Sequence, residues 1–113
     1  MNYRHSAIVE VPRALNGRYQ HLLETYASET NKTWTVWVSF DEEHLAYRPH
    51  ERSSTVGEIL KHQLLSERRF FAEFLSLDEV PASVVLPAVL TPLVYAERLV
   101  ELALPRLSAL ASK

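Results

Sequence analysis

At 113 residues with 47% hydrophobic side chains and only 2 glycines, the chain can bury a single apolar core, and its composition excludes disordered, fibrous and repeat classes. Twelve basic against fourteen acidic side chains give a net charge of −2, and no face carries a basic stripe interleaved with aromatics, which argues against nucleic acid as a partner. The absence of cysteine excludes disulfides and thiol catalysis. With no signal-peptide-like start and no apolar run approaching ~18 residues, no membrane association is expected and the predicted setting is cytoplasmic.

The first predicted helix starts in the turn around Pro12 and carries Leu15, Tyr19, Leu22, Leu23, Tyr26, Thr30, Trp34 and Trp37 at spacings of three and four, one apolar face. Its tail, TWTVWV, also alternates as a strand would, but the periodicity favours helix to about Ser39. That would make it about 27 residues, or roughly 40 Å. Ser39 and Glu42 have capping-box spacing for a short helical turn, after which Tyr47 to Ser54 reads as an extended connection and loop.

The second helix opens on Thr55 and Glu58, spaced as N-cap and N3, and runs to about Leu75. Its apolar face is Val56, Ile59, Leu60, Leu64, Phe70, Phe71 and Phe74. The connection from Ser76 to Leu90 contains Pro81 and Pro87 among Val80, Val84, Val85, Leu86 and Val89, so it is expected to drape over the core or the mouth of a pocket. Thr91 followed by Pro92 marks the third helix, carrying Leu93, Ala96, Leu99, Val100, Ala103, Leu107 and Leu110. Pro105 is expected to kink it or split it at Leu104.

On the helical wheel His62 lies about 120° from the centre of its helix's apolar stripe, a border position that faces a neighbouring helix. Metal sites in bundles are built between helices, but a catalytic site needs about three protein ligands, and no HExxH motif or His-x-x-x-His pair occurs. His62 therefore reads either as a structural border residue or as one metal ligand. His5 lies in the N-terminal tail, His21 on the polar face of the first helix, and His44 and His50 in the turn and loop that follow. Glu58 shares the side of His62 but is engaged in the capping box. Glu67, in the middle of the apolar stripe, requires a partner, expected from the first helix as Arg18 or a tyrosine hydroxyl; acid/base chemistry is its alternative role. No serine has a persuasive His–Asp partner.

The run YRPHERSSTVGEILKHQLLSERRFFAEFL, with its Arg-Pro loop and a Thr-capped helix reading GEIL-x-H, resembles the DinB-like, or YfiT-like, superfamily of metal-dependent enzymes. Helix 1 and DEEHLAYRP extend the likeness upstream. The resemblance implies an all-α, up-and-down helical bundle of DinB-like type, with three main helices present of the usual four. It also implies that His62 is the first ligand of a three-histidine site whose other two ligands come from a His-x-x-x-His pair on a later helix. That pair is absent, and Gln63 stands where the family usually has an apolar residue.

The expected organisation is thus a single domain, residues 1–113, without the C-terminal metal-ligand helix. A divalent metal (zinc, nickel or iron) would be absent or weakly bound. The implied activity is that of a metal-dependent transferase or hydrolase acting on a small molecule; no catalytic residue is assigned. The alternative is a non-catalytic helical self-association module. The groove left open by a three-helix piece would be covered by a second copy, as a homodimer, or by a C-terminal segment. A third reading is a small-molecule binding protein with the 80–90 segment as lid.

Overall fold

The computed structural model describes residues 9–76, 78–89 and 91–113. His5 and Leu90, both named above, lie outside the described residues. Among the described residues there are four α-helices, α1 (Gln20–Trp37), α2 (Val56–Phe74), the single-turn α3 (Ala82–Val85) and α4 (Pro92–Ala111), with 3-10 turns at Gly17–Tyr19 and Glu42–Ala46. Among the described residues there are no strands, so the fold is all-α, as expected.

Helix α1 is shorter than its periodicity suggests. The Asn16 side chain accepts from the Arg18 N–H, and the Gln20 side chain ties back to the Ala14 N–H and the Pro12 carbonyl. These local bonds hold residues 12–16 out of the helix, and the Leu15 N–H instead donates to the Ala111 carbonyl at 2.7 Å. Eighteen residues remain, about 27 Å. The ambiguous TWTVWV tail is helical, because burying Trp37 against α2 and α4 outweighs the weak preference of its β-branched neighbours. The capping box after α1 is built on Asp41 and His44, not on Ser39 and Glu42; the Asp41 N–H donates to His44 Nδ1 at 2.9 Å.

Two buried clusters define the packing. One joins Leu23 and Ala27 of α1 to Phe71 and Leu75 at the end of α2 and to Leu107 and Leu110 at the end of α4. The other joins Trp37, at the far end of α1, to Leu60 and Leu64 at the start of α2, to Val85, and to Tyr95, Ala96 and Leu99 at the start of α4. Helices α2 and α4 therefore run in the same direction and α1 runs against both. The bundle order is up, down, down, which a strict up-and-down alternation does not describe, and the connection between α2 and α4 must cross back over its whole length.

That crossover behaves as its composition suggests. Ser76 ends α2 in the left-handed conformation, φ 56°. Val85 and Pro87 are then buried, and two arginines fasten the segment: Arg68 Nη1 donates to the Val80 carbonyl at 3.1 Å and Arg98 Nη1 to the Val84 carbonyl at 2.5 Å. Beyond it α4 is capped by the Thr91 hydroxyl, which accepts from the Val94 N–H at 3.2 Å. The helix continues unbroken through Pro105, so of the expected kink or split the split at Leu104 does not occur. Pro105 and Glu101, four residues earlier, are both exposed, so water can satisfy the carbonyl that the missing N–H leaves free.

Candidate functional site on the second helix

The start of α2 is set by a reciprocal cap. The Thr55 hydroxyl accepts from the Glu58 N–H at 3.1 Å, and Glu58 Oε1 accepts from the Thr55 N–H at 3.0 Å. Those hydrogen bonds hold the Glu58 carboxyl below its ordinary pKa, with Arg48 3.8 Å away adding a smaller effect. The first turn also lies against the preceding 3-10 turn: a Cβ on Gly57 would stand 3.2 Å from the Leu45 carbonyl oxygen, so glycine permits this close approach. Glu58 is thus occupied in the cap and in a pair with Arg48.

His62, two turns further on, is exposed rather than at the border of the packed face. The buried arc of α2 is Leu60, Leu64, Phe71 and Leu75, which centres on Leu64, whereas the sequence reading placed the centre near Glu67 by counting Ile59, Phe70 and Phe74 as core. All three are exposed. Measured from Leu64, His62 is about 160° away at 100° per residue. Its Nε2 is 3.2 Å from Ser66 Oγ, and the two share a shallow surface depression with Leu65, Arg69, Phe70 and Glu73. No carboxylate among the described residues orients the imidazole, so His62 and Ser66 form an isolated pair and not a catalytic triad.

Glu67 is where the interior becomes polar. Its carboxylate receives Gln63 Nε2 at 2.9 Å and a long contact from the Tyr26 hydroxyl at 3.5 Å, and it faces Arg106 Nη1 at 3.6 Å. The tyrosine partner from α1 is as expected; the cation comes from α4, while Arg18 is exposed in the turn before α1. Arg106 also lies over the Phe71 ring, 4.9 Å from its centroid. Burial pushes the Glu67 carboxyl above its ordinary value, and Gln63, Arg106 and Tyr26 only partly offset this. Burial, with the Glu67 charge as a second cause, pushes the Tyr26 phenol up to about 12. These groups tie three helices together.

Among the described residues no cluster of three ligand-type groups joins another histidine to His62. His21 is exposed on α1, and His50 accepts the Arg52 N–H within its own loop at 3.1 Å. The sequence reading missed a grouping around His44: Asp41, Glu43 and His44 each bring one ligand-type atom within 4.8 Å of the others. Their adjacency in DEEH was the available signal. All three are exposed, and His44 Nδ1 is already taken by the cap. Among the described residues no cluster of three ligand-type groups includes His62, so they do not by themselves fit a three-histidine centre.

A Thr-capped second helix bearing an outward histidine, packed with two further long helices in an up, down, down order, defines a small all-α bundle. The chain matches the DinB family over residues 12–90, which takes in α1, the Arg-Pro loop, α2 and most of the crossover, and it belongs to that family. No curated protein and no solved structure matches it. No helix among the described residues is long and apolar enough to cross a membrane.

Proposed function

We propose that this chain is a DinB-type helical module whose outer α1–α2 face is covered by a helix of a second copy, and that His62 acts as a metal ligand only in such an assembly. The observation that carries the reading is the apolar flank beside the α1–α2 seam. Leu22 and Val36 on α1 and Ile59, Phe70 and Phe74 on α2 are between 42% and 57% exposed. On both helices these side chains follow the seam where Tyr26 meets Glu67 and Phe71, on its solvent side. Phe70 stacks on Phe74 at 5.7 Å without cover from another element. An apolar patch of this kind marks an interaction surface.

DinB proteins are metal-associated, and the implied activity is transfer or hydrolysis on a small molecule, with zinc, nickel or iron as the metal. Such a metal would lower the pKa of a bound water or thiolate. Because the described residues group no further ligand with His62, no catalytic step is assigned to them. Two more ligands would have to accompany the covering helix.

The second reading, a non-catalytic self-association module, is favoured by the solvent-facing setting of His62 and its bond to Ser66. Light scattering combined with metal analysis separates the two. A dimer holding stoichiometric metal that is lost in His62→Ala supports the first reading; a metal-free dimer supports the second. A monomer that holds no metal overturns both.

A further inference from the structure

We propose that the cleft between α2, α4 and the start of the crossover is a binding site for a small, neutral, mainly apolar carbonyl compound, such as a ketone or ester. The cavity measures about 170 Å³ and its walls are Phe71 and Ala72 from α2, Leu102 and Pro105 from α4, and Val80 from the crossover. An apolar cavity of ~150 Å³ accepts a six-carbon ring, so this one has room for a ligand of about that size.

Arg68 and Arg106 complete the lining; Arg68 Nε is buried without a hydrogen-bond partner, whereas the buried Nη1 of Arg106 is turned to the Glu67 carboxylate. A buried donor left unmade is costly, and Arg68 Nε on the lining of an apolar cleft matches a ligand that presents an acceptor. The charge balance decides which acceptor. Arg68 pairs with Glu79 at 3.0 Å and Arg106 faces Glu67 at 3.6 Å, while Asp78 adds a further carboxylate to the lining. The surroundings therefore hold two cations against three carboxylates. An anion would be repelled, and a cation would find donors where it needs acceptors. A neutral carbonyl oxygen satisfies both constraints, with its apolar body against Phe71, Val80 and Leu102. The crossover wall is held by the Arg68 bonds to Glu79 and to the Val80 carbonyl.

Cyclohexanone, benzene and benzoate, titrated separately into the ¹⁵N-labelled full chain, test the site. Saturable amide shifts at Ala72, Asp78, Val80 and Leu102 are expected with cyclohexanone, weaker ones with benzene and none with benzoate. Leu102→Trp, which fills the cleft, should abolish the shifts, as should Ala72→Leu if the tryptophan variant does not fold. Arg68→Lys keeps the positive charge opposite Glu79 but removes the Nε donor; it should weaken cyclohexanone about tenfold and leave benzene unchanged. Absence of saturable shifts, persistence in the filled variants, or equal affinity for cyclohexanone and benzene overturns the proposal. Preferential binding of benzoate overturns its charge argument and with it the ligand class.

Discussion

Helices α2 and α4 are nearly the same length, begin with the same threonine cap and run in the same direction, yet they are dressed very differently. Helix α4 buries Pro92, Tyr95, Ala96, Leu99, Ala103, Leu107 and Leu110, with α1 along one flank and the crossover over its start. Helix α2 buries Leu60, Leu64 and Phe71, and a second apolar arc, Ile59, Phe70 and Phe74, faces outward. The difference is one of position. The crossover places α4 in the middle of the bundle, where it buries most of its apolar side chains although Leu93 and Leu104 stay exposed, and leaves α2 at its edge with few buried side chains and more apolar surface than its neighbours cover.

The comparison can be broken by removing matched groups from each helix. Leu99→Ala, in the centre of α4, is expected to cost about 3 kcal/mol in denaturant unfolding, because the site is packed on all sides and a cavity remains. A cost below about 1 kcal/mol would mean that α4 is not the central helix. Arg106→Met is expected to cost about 3 kcal/mol at neutral pH by leaving the Glu67 carboxylate buried without its cation.

The pH dependence of that second variant has a definite sign. Glu67 already binds its proton more tightly in the folded chain than in the unfolded one, so its contribution is fully present below the ordinary value of 4.5 and is lost as pH rises through the raised one. Removing Arg106 raises the folded value further. The deficit of Arg106→Met should therefore be largest at neutral pH and shrink as pH falls toward 4.5, which urea unfolding at several pH values would show. A deficit independent of pH would assign the loss to packing on Phe71 instead.

The caps offer a control in which the helices should agree. Thr55→Ala and Thr91→Ala each remove one hydroxyl that accepts an orphan N–H, and each is expected to cost about 1 kcal/mol. Smallest of all, Phe70→Ser and His62→Ala should change the stability of the single chain by no more than about 0.5 kcal/mol, since both side chains are exposed. Phe70→Ser should nonetheless weaken self-association in sedimentation experiments. If it unfolds the chain instead, the outer arc of α2 is core and the contrast with α4 disappears.

Local chemistry was legible where it acts within a few residues. The Thr55–Glu58 box, the Thr91–Pro92 start and the helical character of α2 and α4 follow from spacing, and GEIL-x-H identifies the family, because the interactions concerned lie within one or two turns. The start of α1 was not legible from periodicity: Asn16 and Gln20 hold the preceding residues in local turns that an apolar count does not register. Tyr95 and Ala27, both buried, were missed although each lies four residues from a counted position, Leu99 and Leu23, on the same face of its helix.

The sequence by itself determined that the chain is helical, where α2 and α4 begin, and which family it belongs to, since each depends on short-range spacing. Tertiary structure alone decided that α2 and α4 are parallel, that Arg106 and not Arg18 faces Glu67, and that His62 points to solvent. A helical wheel shows which residues share a face, but it cannot say which of two apolar arcs meets a neighbour. On α2 that choice followed from the crossover, which brings α4 to the Leu64 side and leaves the Phe70 side open.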